Sequence, residues 1–177
     1  LPDKYMENLI NLLKGFFSKS NIEAYLVGGT VRDIILGKKI DDLDIAVNVN
    51  PLNFIEQLSD HLNYIAIPIG RNHGLFRLIA RDKAENVIDL TGFSKTVEEE
   101  LKRRDFTINA MAFPLHLDLS IARSSIIDPV NGLEDLDKSS IKAVNSSIFD
   151  KDPIRLLRAV RLASKYHFLI EQNDFRK

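Results

Sequence analysis

Two aspartates separated by a single leucine stand at the start of an apolar run, in the stretch Asp42-Leu43-Asp44. Side chains two positions apart on a β-strand point to the same side of it, so this spacing brings both carboxylates to one place. Two carboxylates held together repel each other unless a cation or a proton lies between them. Oxygen ligands that leave room for water and phosphate suit Mg²⁺, and the pair therefore predicts a magnesium site.

A glycine pair, Gly28-Gly29, lies between a short apolar segment over residues 24–27 and a helical pattern that stops at Gly37. The apolar segment predicts a strand, and the pattern after it predicts a helix with one apolar face. A helix N-terminus offers backbone N–H groups that have no partner within the helix, and glycine lets an anion approach them closely. The pair therefore predicts a phosphate-binding turn with bare backbone donors.

Each of these features also has a simpler interpretation. A glycine pair is most often only a tight turn, and an aspartate pair is most often a solvated loop or a helix cap. Both in one short stretch favour nucleotidyl transfer, in which two metal ions about 3.5–4 Å apart hold the attacking and leaving oxygens. Other phosphate-binding patterns do not fit, because Gly28-Gly29 is not G-x-G-x-x-G and Gly37-Lys38 lacks the upstream glycine of a Walker A loop.

Three stretches carry a resemblance to a known family. The string LVGGTVRD over residues 26–33, with Asp42-Leu43-Asp44, resembles the head domain of the class II tRNA nucleotidyltransferase and bacterial poly(A) polymerase family. This family is a branch of the polymerase-β-like nucleotidyltransferases. Residues 103–112 (RRDFTINAMA) and 152–161 (DPIRLLRAVR) match two further family motifs in the same order. The resemblance implies a nucleotidyltransferase head over residues 1–140 and the start of a helical neck, which binds RNA and the nucleobase, over 141–177.

The resemblance also implies roles for single residues. It assigns catalysis and the binding of two Mg²⁺ ions to three carboxylates, Asp42, Asp44 and Asp89. It assigns triphosphate binding to Gly28, Gly29 and Arg32. It assigns nucleotide binding to Arg104 and Asp105, with Asn109 as a brace. It assigns the reading of the Watson–Crick edge of the base to Asp152 and Arg155, and support of the triphosphate or template to Arg158 and Arg161.

Two positions depart from the family pattern. Asp89 stands where the family usually has glutamate, and aspartate is shorter than glutamate by one methylene, so its carboxylate reaches less far. Without the resemblance, a lone aspartate near a strand end is more typical of a cap or a turn. Lys151 stands where the family motif has glutamate, and its reversed charge beside Asp152 is expected to alter base selection.

The remaining pattern predicts the elements that hold these residues. The order helix, strand, helix, strand, helix and then three strands predicts a mixed sheet with helices packed on it, an α+β fold. Apart from the central stretch, the predicted helices cover 4–17 and 51–62, the second with proline in its first turn, and the strands cover 64–69, 75–80 and 86–90. Residues 95–102 predict a solvated helix face.

Two predictions concern the C-terminal part. Residues 117–136 predict a loop in which Asp128 positions a turn, without a catalytic role. From Asp152 onward the pattern is helical, with Leu156, Leu157, Val160 and Leu162 predicted to face a core. Asp152, Arg155, Arg158 and Arg161 recur every three residues and predict a stripe along one side of that helix. A solvated basic face is the other interpretation of this stripe.

Composition bounds the setting. The chain of 177 residues is 45% hydrophobic and 28% charged, with a net charge of −1 and no cysteine. This excludes a protein that is basic all over, so RNA contacts are expected to be local, in the basic segment 151–165. The absence of cysteine and of a signal peptide pattern predicts the cytoplasm. A start without Met and an end directly after a helical pattern predict part of a longer protein.

These inferences lead to one functional hypothesis and two alternatives. The hypothesis is a template-independent nucleotidyltransferase that adds CMP, AMP or both from CTP and ATP to the 3′ end of tRNA. The first alternative is a bacterial poly(A) polymerase, which shares this head and acts on other RNA 3′ ends. The second is a non-catalytic nucleotide-binding regulatory module, which would not need three carboxylates.

Overall fold

The computed structural model describes residues 3–70, 74–82, 87–118 and 123–171. Within these ranges a mixed sheet carries packed helices on it and is followed by a helical segment, which confirms the predicted α+β class. In the described ranges, no helix has the length and apolar character needed to cross a membrane.

The elements follow the predicted order. The helices are α1 Lys4–Lys19, α2 Gly28–Ile35, α3 Ile55–Leu62, α4 Val97–Leu101, α5 Gly132–Asp137, α6 Ile148–Lys151 and α7 Ile154–Tyr166. The strands are β1 Ala24–Val27, β2 Asp42–Val47, β3 Tyr64–Pro68, β4 Leu75–Ala80, β5 Val87–Gly92, β6 Ala112–Pro114, β7 Ser140–Ile141 and β8 Leu169–Ile170. Short 3-10 turns lie at Pro51–Asn53, Thr107–Asn109 and Arg123–Ser125. Asn86, predicted to begin the third strand of the later group, lies outside the described residues.

The large sheet has the strand order β3-β4-β5-β2-β1-β6. β2 and β5 are parallel, and the other neighbouring strands are antiparallel. Apolar side chains of the central strands, such as Leu43 of β2 and Ile88 of β5, are fully buried. Because β2 and β5 pair in parallel with Asp44 opposite Asp89, polar positions of two strands distant in sequence meet at one edge of the core.

The N-terminal helix has only a packing role, as the pattern predicts. The Asp3 carboxylate caps α1 by accepting a hydrogen bond from the backbone N–H of Met6 at 2.9 Å. The apolar face of α1, including Ile10 and Leu13, is buried in the core.

Two loop and helix predictions need correction. The region 51–62 is a 3-10 turn followed, after a break at Phe54, by α3 rather than one helix. The predicted loop over 117–136 contains most of α5, because the turn residues before it act as a helix start. The Asp128 carboxylate accepts from the backbone N–H of Gly132 at 2.7 Å and of Leu133 at 2.9 Å, which satisfies free donors of the first turn of α5.

The packing predicted for α7 is largely wrong. Leu162 is buried, but the residues Leu156, Leu157 and Val160 are 41%, 70% and 59% exposed. The helix turns a different face to the protein, and its buried residues are Ala159, Leu162 and Tyr166. An apolar pattern fixes which residues share a helix face, but contacts made elsewhere in the chain decide which face is covered.

Candidate functional site

A cavity of about 350 Å³ lies between the edge of the sheet that carries the aspartates and helix α7. Its sheet side is lined by carboxylates of β2 and β5, namely Asp42, Asp44 and Asp89. Its α7 side is lined by basic residues, namely Arg158, Arg161 and Lys165. The cavity therefore places a cluster of negative charge opposite a cluster of positive charge. The space between them suits a ligand that brings a cation to the carboxylates and an anionic group to the basic residues.

The carboxylate cluster follows from strand geometry. Asp42 and Asp44 lie on one side of β2 with buried Leu43 between them, and Asp89 is the register partner of Asp44 on β5. Burial raises the pKa of Asp42, and the negative charge of Asp89 raises it further. Burial also raises the pKa of Asp44, although the nearby Arg104 guanidinium opposes this shift. Both carboxyl groups therefore lie where a bound cation would relieve the cost of their charge.

Asp89 has a partner that the sequence analysis missed. Arg77 lies opposite Asp89 in the antiparallel pairing of β4 with β5. Its Nε and Nη2 donate to the two carboxylate oxygens, each at 2.8 Å. The available signal was a single charged residue inside the otherwise apolar strand LFRLIA. Arg77 thus occupies both oxygens of the predicted third metal ligand.

A divalent cation needs several oxygen ligands, and the carboxylates of the cavity supply only some of them. Across the described parts of the chain, no group of three or more His, Cys, Asp or Glu side chains is arranged to hold a metal ion. Asp42 and Asp44 nevertheless fit one, since they are neighbouring oxygen donors whose charged forms are disfavoured by burial. Arg77 uses one lone pair on each oxygen of Asp89, so a cation would share this carboxylate with the Arg77 charge.

The glycine turn has the predicted position but not the predicted bare donors. The backbone N–H of Gly29 donates to Asp44 Oδ2 at 3.0 Å, and that of Gly28 donates to the carbonyl of Met111 at 3.3 Å. The first N–H groups of α2 lack acceptors within the helix, and together with the positive end of the α2 dipole they attract the carboxylate of Asp44. The turn and the carboxylate cluster are therefore one connected site.

Thr30 is a second residue that the sequence analysis missed. Its buried Oγ1 accepts a hydrogen bond from the Asp44 backbone N–H at 2.8 Å and donates to the Asp42 carbonyl at 3.3 Å. The side chain thus fastens α2 to the backbone between the two aspartates. A threonine directly after a glycine pair at a helix start was the only local sign of this role.

Arg32 lines the cavity but is held closely by the protein. It is 6% exposed, and its Nε donates to Asp33 Oδ1 at 2.9 Å. Nη1 donates to Asn109 Oδ1, and Nη2 donates to the hydroxyl of Tyr166 at 2.6 Å. A guanidinium has two hydrogens on each Nη, so one on each remains for a ligand. Asn109 lies against Arg32, where the resemblance expected a brace.

Arg104 lies against the glycine turn, and neither Arg104 nor Asp105 is among the residues that line the cavity. A Cβ built on Gly28 would lie 2.6 Å from Nη1 of Arg104, so that guanidinium packs directly on the turn. Within the described structure, the buried Nε of Arg104 has no hydrogen-bond partner. Asp105 Oδ2 lies 3.0 Å from Nη2 of Arg158, an ion pair without an aligned hydrogen bond that ties this segment to α7.

The predicted stripe on α7 divides into two parts. Arg158 and Arg161 line the cavity, but Asp152 and Arg155 do not. Asp152 precedes the helix, because a proline at position 153 disfavours a helical backbone at the residue before it. Its Oδ1 accepts from the backbone N–H of Ile154 at 3.2 Å, and its Oδ2 lies 3.7 Å from Nε of Arg155. The side chain of Lys151 lies outside the described structure.

Comparison with known proteins gives a consistent picture. The sequence model of the family described as "Poly A polymerase head domain" matches residues 24–94 and 79–142. A CCA-adding enzyme of Lactococcus lactis subsp. cremoris (strain MG1363) is 34% identical over 99% of this chain and 45% of its own length. A CCA-adding enzyme of Streptococcus mutans is 35% identical over 99% of this chain and 44% of its own length.

Solved structures agree with the sequence comparison. The Thermotoga maritima CCA-adding enzyme complexed with tRNA matches 96% of this chain and 40% of its own, with 34% identity and a TM-score of 0.80. A complex of CCA-adding enzyme with CTP matches 97% of this chain and 40% of its own, with 34% identity and a TM-score of 0.79. The chain thus spans less than half the length of the relatives that it matches.

Proposed function

This chain belongs to the poly A polymerase head domain family, and from that premise we propose that it is the catalytic head of an enzyme that adds CMP, AMP or both to the 3′ end of tRNA. The observation that carries the proposal is the cavity in which the carboxylates of β2 and β5 face the basic residues of α7. The 34% sequence identity to a CCA-adding enzyme, over nearly the whole chain, and the match to solved structures of such enzymes support the substrates CTP, ATP and tRNA.

Nucleotidyl transfer divides the work between a cation and the protein. Nucleotidyltransferases generally use divalent metal ions, and two Mg²⁺ held by Asp42, Asp44 and Asp89 would activate the RNA 3′-hydroxyl and stabilise the leaving pyrophosphate. Arg32 supplies its remaining Nη hydrogens to the triphosphate, and Gly28 and Gly29 keep the turn free of side chains that would block it. No covalent intermediate is required.

The α7 side supplies charge and base selection. Arg158 and Arg161 face the carboxylates across the cavity and offset the negative charge of the triphosphate or the RNA. Asp152 and Arg155 lie at the start of α7, outside the cavity lining, and in this proposal they select the base when it is bound: an aspartate accepts from the amino group of cytosine or adenine, and an arginine donates to the adjacent acceptor. Arg104 and Asp105 support the nucleotide indirectly, Arg104 through its contact with the glycine turn and Asp105 through its ion pair with Arg158.

The proposal also covers the domain boundaries and the cellular location of the protein. The head covers residues 1–140, and 141–177 begin the neck that binds RNA and the nucleobase. The lack of cysteine suits a reducing compartment, so the cytoplasm is the proposed location.

The test uses the full-length protein with tRNA that ends before, within or after CCA. Each nucleoside triphosphate is supplied separately with Mg²⁺. We expect incorporation of CMP, AMP or both on the incomplete ends and almost none of UMP and GMP. Absence of any incorporation, or equal use of all four nucleotides, would refute the proposed activity.

One alternative has an observation in its favour, namely the description of the matching family as a poly A polymerase head. A bacterial poly(A) polymerase would extend many RNAs with long A-tails from ATP alone. The same assay with an unstructured RNA separates the two activities, because a tRNA-specific enzyme adds one to three residues and then stops.

A further inference from the structure

Tyr166, the last residue of α7, lies directly against Arg32, one of the arginines that line the cavity. The residue is 6% exposed, and its hydroxyl lies 2.6 Å from Nη2 of Arg32. The same hydroxyl lies 2.8 Å and 3.1 Å from the two carboxylate oxygens of Asp33. One hydroxyl group thus joins the C-terminal end of α7 to two neighbouring residues of α2.

The chemistry of these contacts fixes their direction. A tyrosine hydroxyl has one hydrogen, which it donates to Asp33, and it accepts the hydrogen of the Arg32 guanidinium. The Arg32 guanidinium carbon also lies 4.4 Å from the centroid of the Tyr166 ring, within the range of a cation–π contact. The ring and the hydroxyl therefore restrain the guanidinium in two directions at once.

We propose that Tyr166 is a positioning residue for nucleotide binding, which fixes the Arg32 guanidinium so that its free Nη hydrogens face the cavity. This inference rests on the proposed function, in which Arg32 binds the triphosphate. A preorganised side chain loses less conformational freedom when the ligand binds, so Tyr166 raises affinity without touching the reacting atoms. Since the triphosphate is common to all nucleotides, the effect is the same for CTP and ATP.

The surroundings of Tyr166 keep its hydroxyl protonated. Burial raises the pKa of the Tyr166 hydroxyl, although the Arg32 charge opposes that shift. The hydroxyl therefore stays protonated near neutral pH and continues to donate to Asp33. Lys38 and Lys165 also lie near the ring, with Nζ atoms 5.4 Å and 5.2 Å from its centroid.

The test is Tyr166→Phe in the full-length protein. The phenylalanine ring keeps the stacking surface but removes the hydroxyl contacts to Arg32 and Asp33. The KM for CTP and for ATP should rise about tenfold, since a hydrogen bond to a charged group is lost, while kcat changes by less than about twofold. A partly unfolded preparation would instead lower kcat and leave KM unchanged.

A matched control is Tyr64→Phe. Tyr64 is also a buried tyrosine, and its hydroxyl lies 3.2 Å from that of Tyr5 on another part of the protein. Loss of that hydroxyl removes a comparable contact away from the cavity, so the KM for both nucleotides should stay at the unsubstituted value. A rise as large as in Tyr166→Phe would overturn the positioning role.

A double substitution shows whether Tyr166 acts through Arg32. In an Arg32→Ala background, Tyr166→Phe should raise KM little further, because the group that it positions is gone. Additive effects would overturn the inference, as would an unchanged KM in Tyr166→Phe beside a raised one in Arg32→Ala. Equilibrium binding of CTP and ATP separates the two claims. If the protein binds them with the same dependence on Tyr166 but transfers nothing, the proposed activity fails and the inference stands; if it binds neither, both fail.

Discussion

The glycine turn offers a sharp test, because Gly28 and Gly37 share a left-handed φ that suits glycine but have very different neighbours. Gly28 has φ +63°, and a Cβ there would lie 2.6 Å from Nη1 of Arg104 and 2.9 Å from Oδ2 of Asp44. Gly37 has φ +64°, and a Cβ there would meet no atom within 4 Å. Alanine at either position incurs the left-handed strain, about 1–2 kcal/mol. Only Gly28→Ala disturbs the site as well.

The size of that disturbance follows from the contacts. Ordinary contact begins at 3.4 Å, so Nη1 of Arg104 has to move by about 0.8 Å and Oδ2 of Asp44 by about 0.5 Å to admit the new methyl group. A misplacement of about 1 Å in a catalytic site costs about a hundredfold in rate. We therefore expect Gly28→Ala to lower kcat/KM for nucleotide addition by about a hundredfold, and Gly37→Ala to leave it nearly unchanged.

The assay pairs activity with stability. Incorporation of CMP and AMP into tRNA lacking its 3′ end gives kcat/KM, and denaturant unfolding gives the free energy of unfolding. Both variants should lose a similar 1–2 kcal/mol of stability, roughly. Near-normal incorporation by Gly28→Ala, or an equal loss of activity in Gly37→Ala, would refute the assignment of the turn to the site.

Three further predictions concern charged residues. Asp44→Asn should abolish incorporation yet raise the free energy of unfolding at pH 7, because burial raises the pKa of this carboxyl and so disfavours its charged form. In denaturant unfolding at several pH values, this gain in stability should disappear as the pH falls below the ordinary pKa of aspartate. The control Asp60→Asn, at an exposed position on α3, should show no such gain. Arg77→Gln should tighten Mn²⁺ binding about two- to fivefold, since it frees Asp89 from its ion pair. Electron paramagnetic resonance in the absence of nucleotide measures this binding. No change, or the same change when Asp89→Asn is also present, would contradict competition for that carboxylate. Asp152→Asn keeps a side-chain acceptor for the start of α7 but changes the hydrogen-bonding pattern that the side chain offers to a base. Misincorporation among the four nucleotides should therefore rise about ten- to a hundredfold. Unchanged selectivity would make Asp152 only a helix cap.

Local pattern was enough to predict much of the central unit. The strand before the glycine pair, the helix after it and the strand with Asp42 and Asp44 all occur as expected. In each case the deciding contacts are short in sequence, such as strand alternation and a glycine that ends a helix. The family resemblance pointed further, to Asp89, and the structure places it opposite Asp44.

Predictions failed where the partner came from a distant segment. The bare donors at Gly29 are taken by Asp44, the oxygens of Asp89 are taken by Arg77, and the exposed face of α7 carries leucines expected inside. No periodicity within one element contains this information. Polar groups that lie close to a buried core are paired with whatever donor or acceptor the fold brings near.

The sequence by itself therefore determined the elements and the chemical types gathered at the site, because helix and strand periods and capping are local properties of the chain. Only the tertiary structure decided how these groups are paired. Parallel pairing of β2 with β5 brings the carboxylates together, and docking of α7 on α2 places Tyr166 against Arg32. Those contacts join residues that are far apart in sequence, and their geometry depends on the packing of the whole core around them.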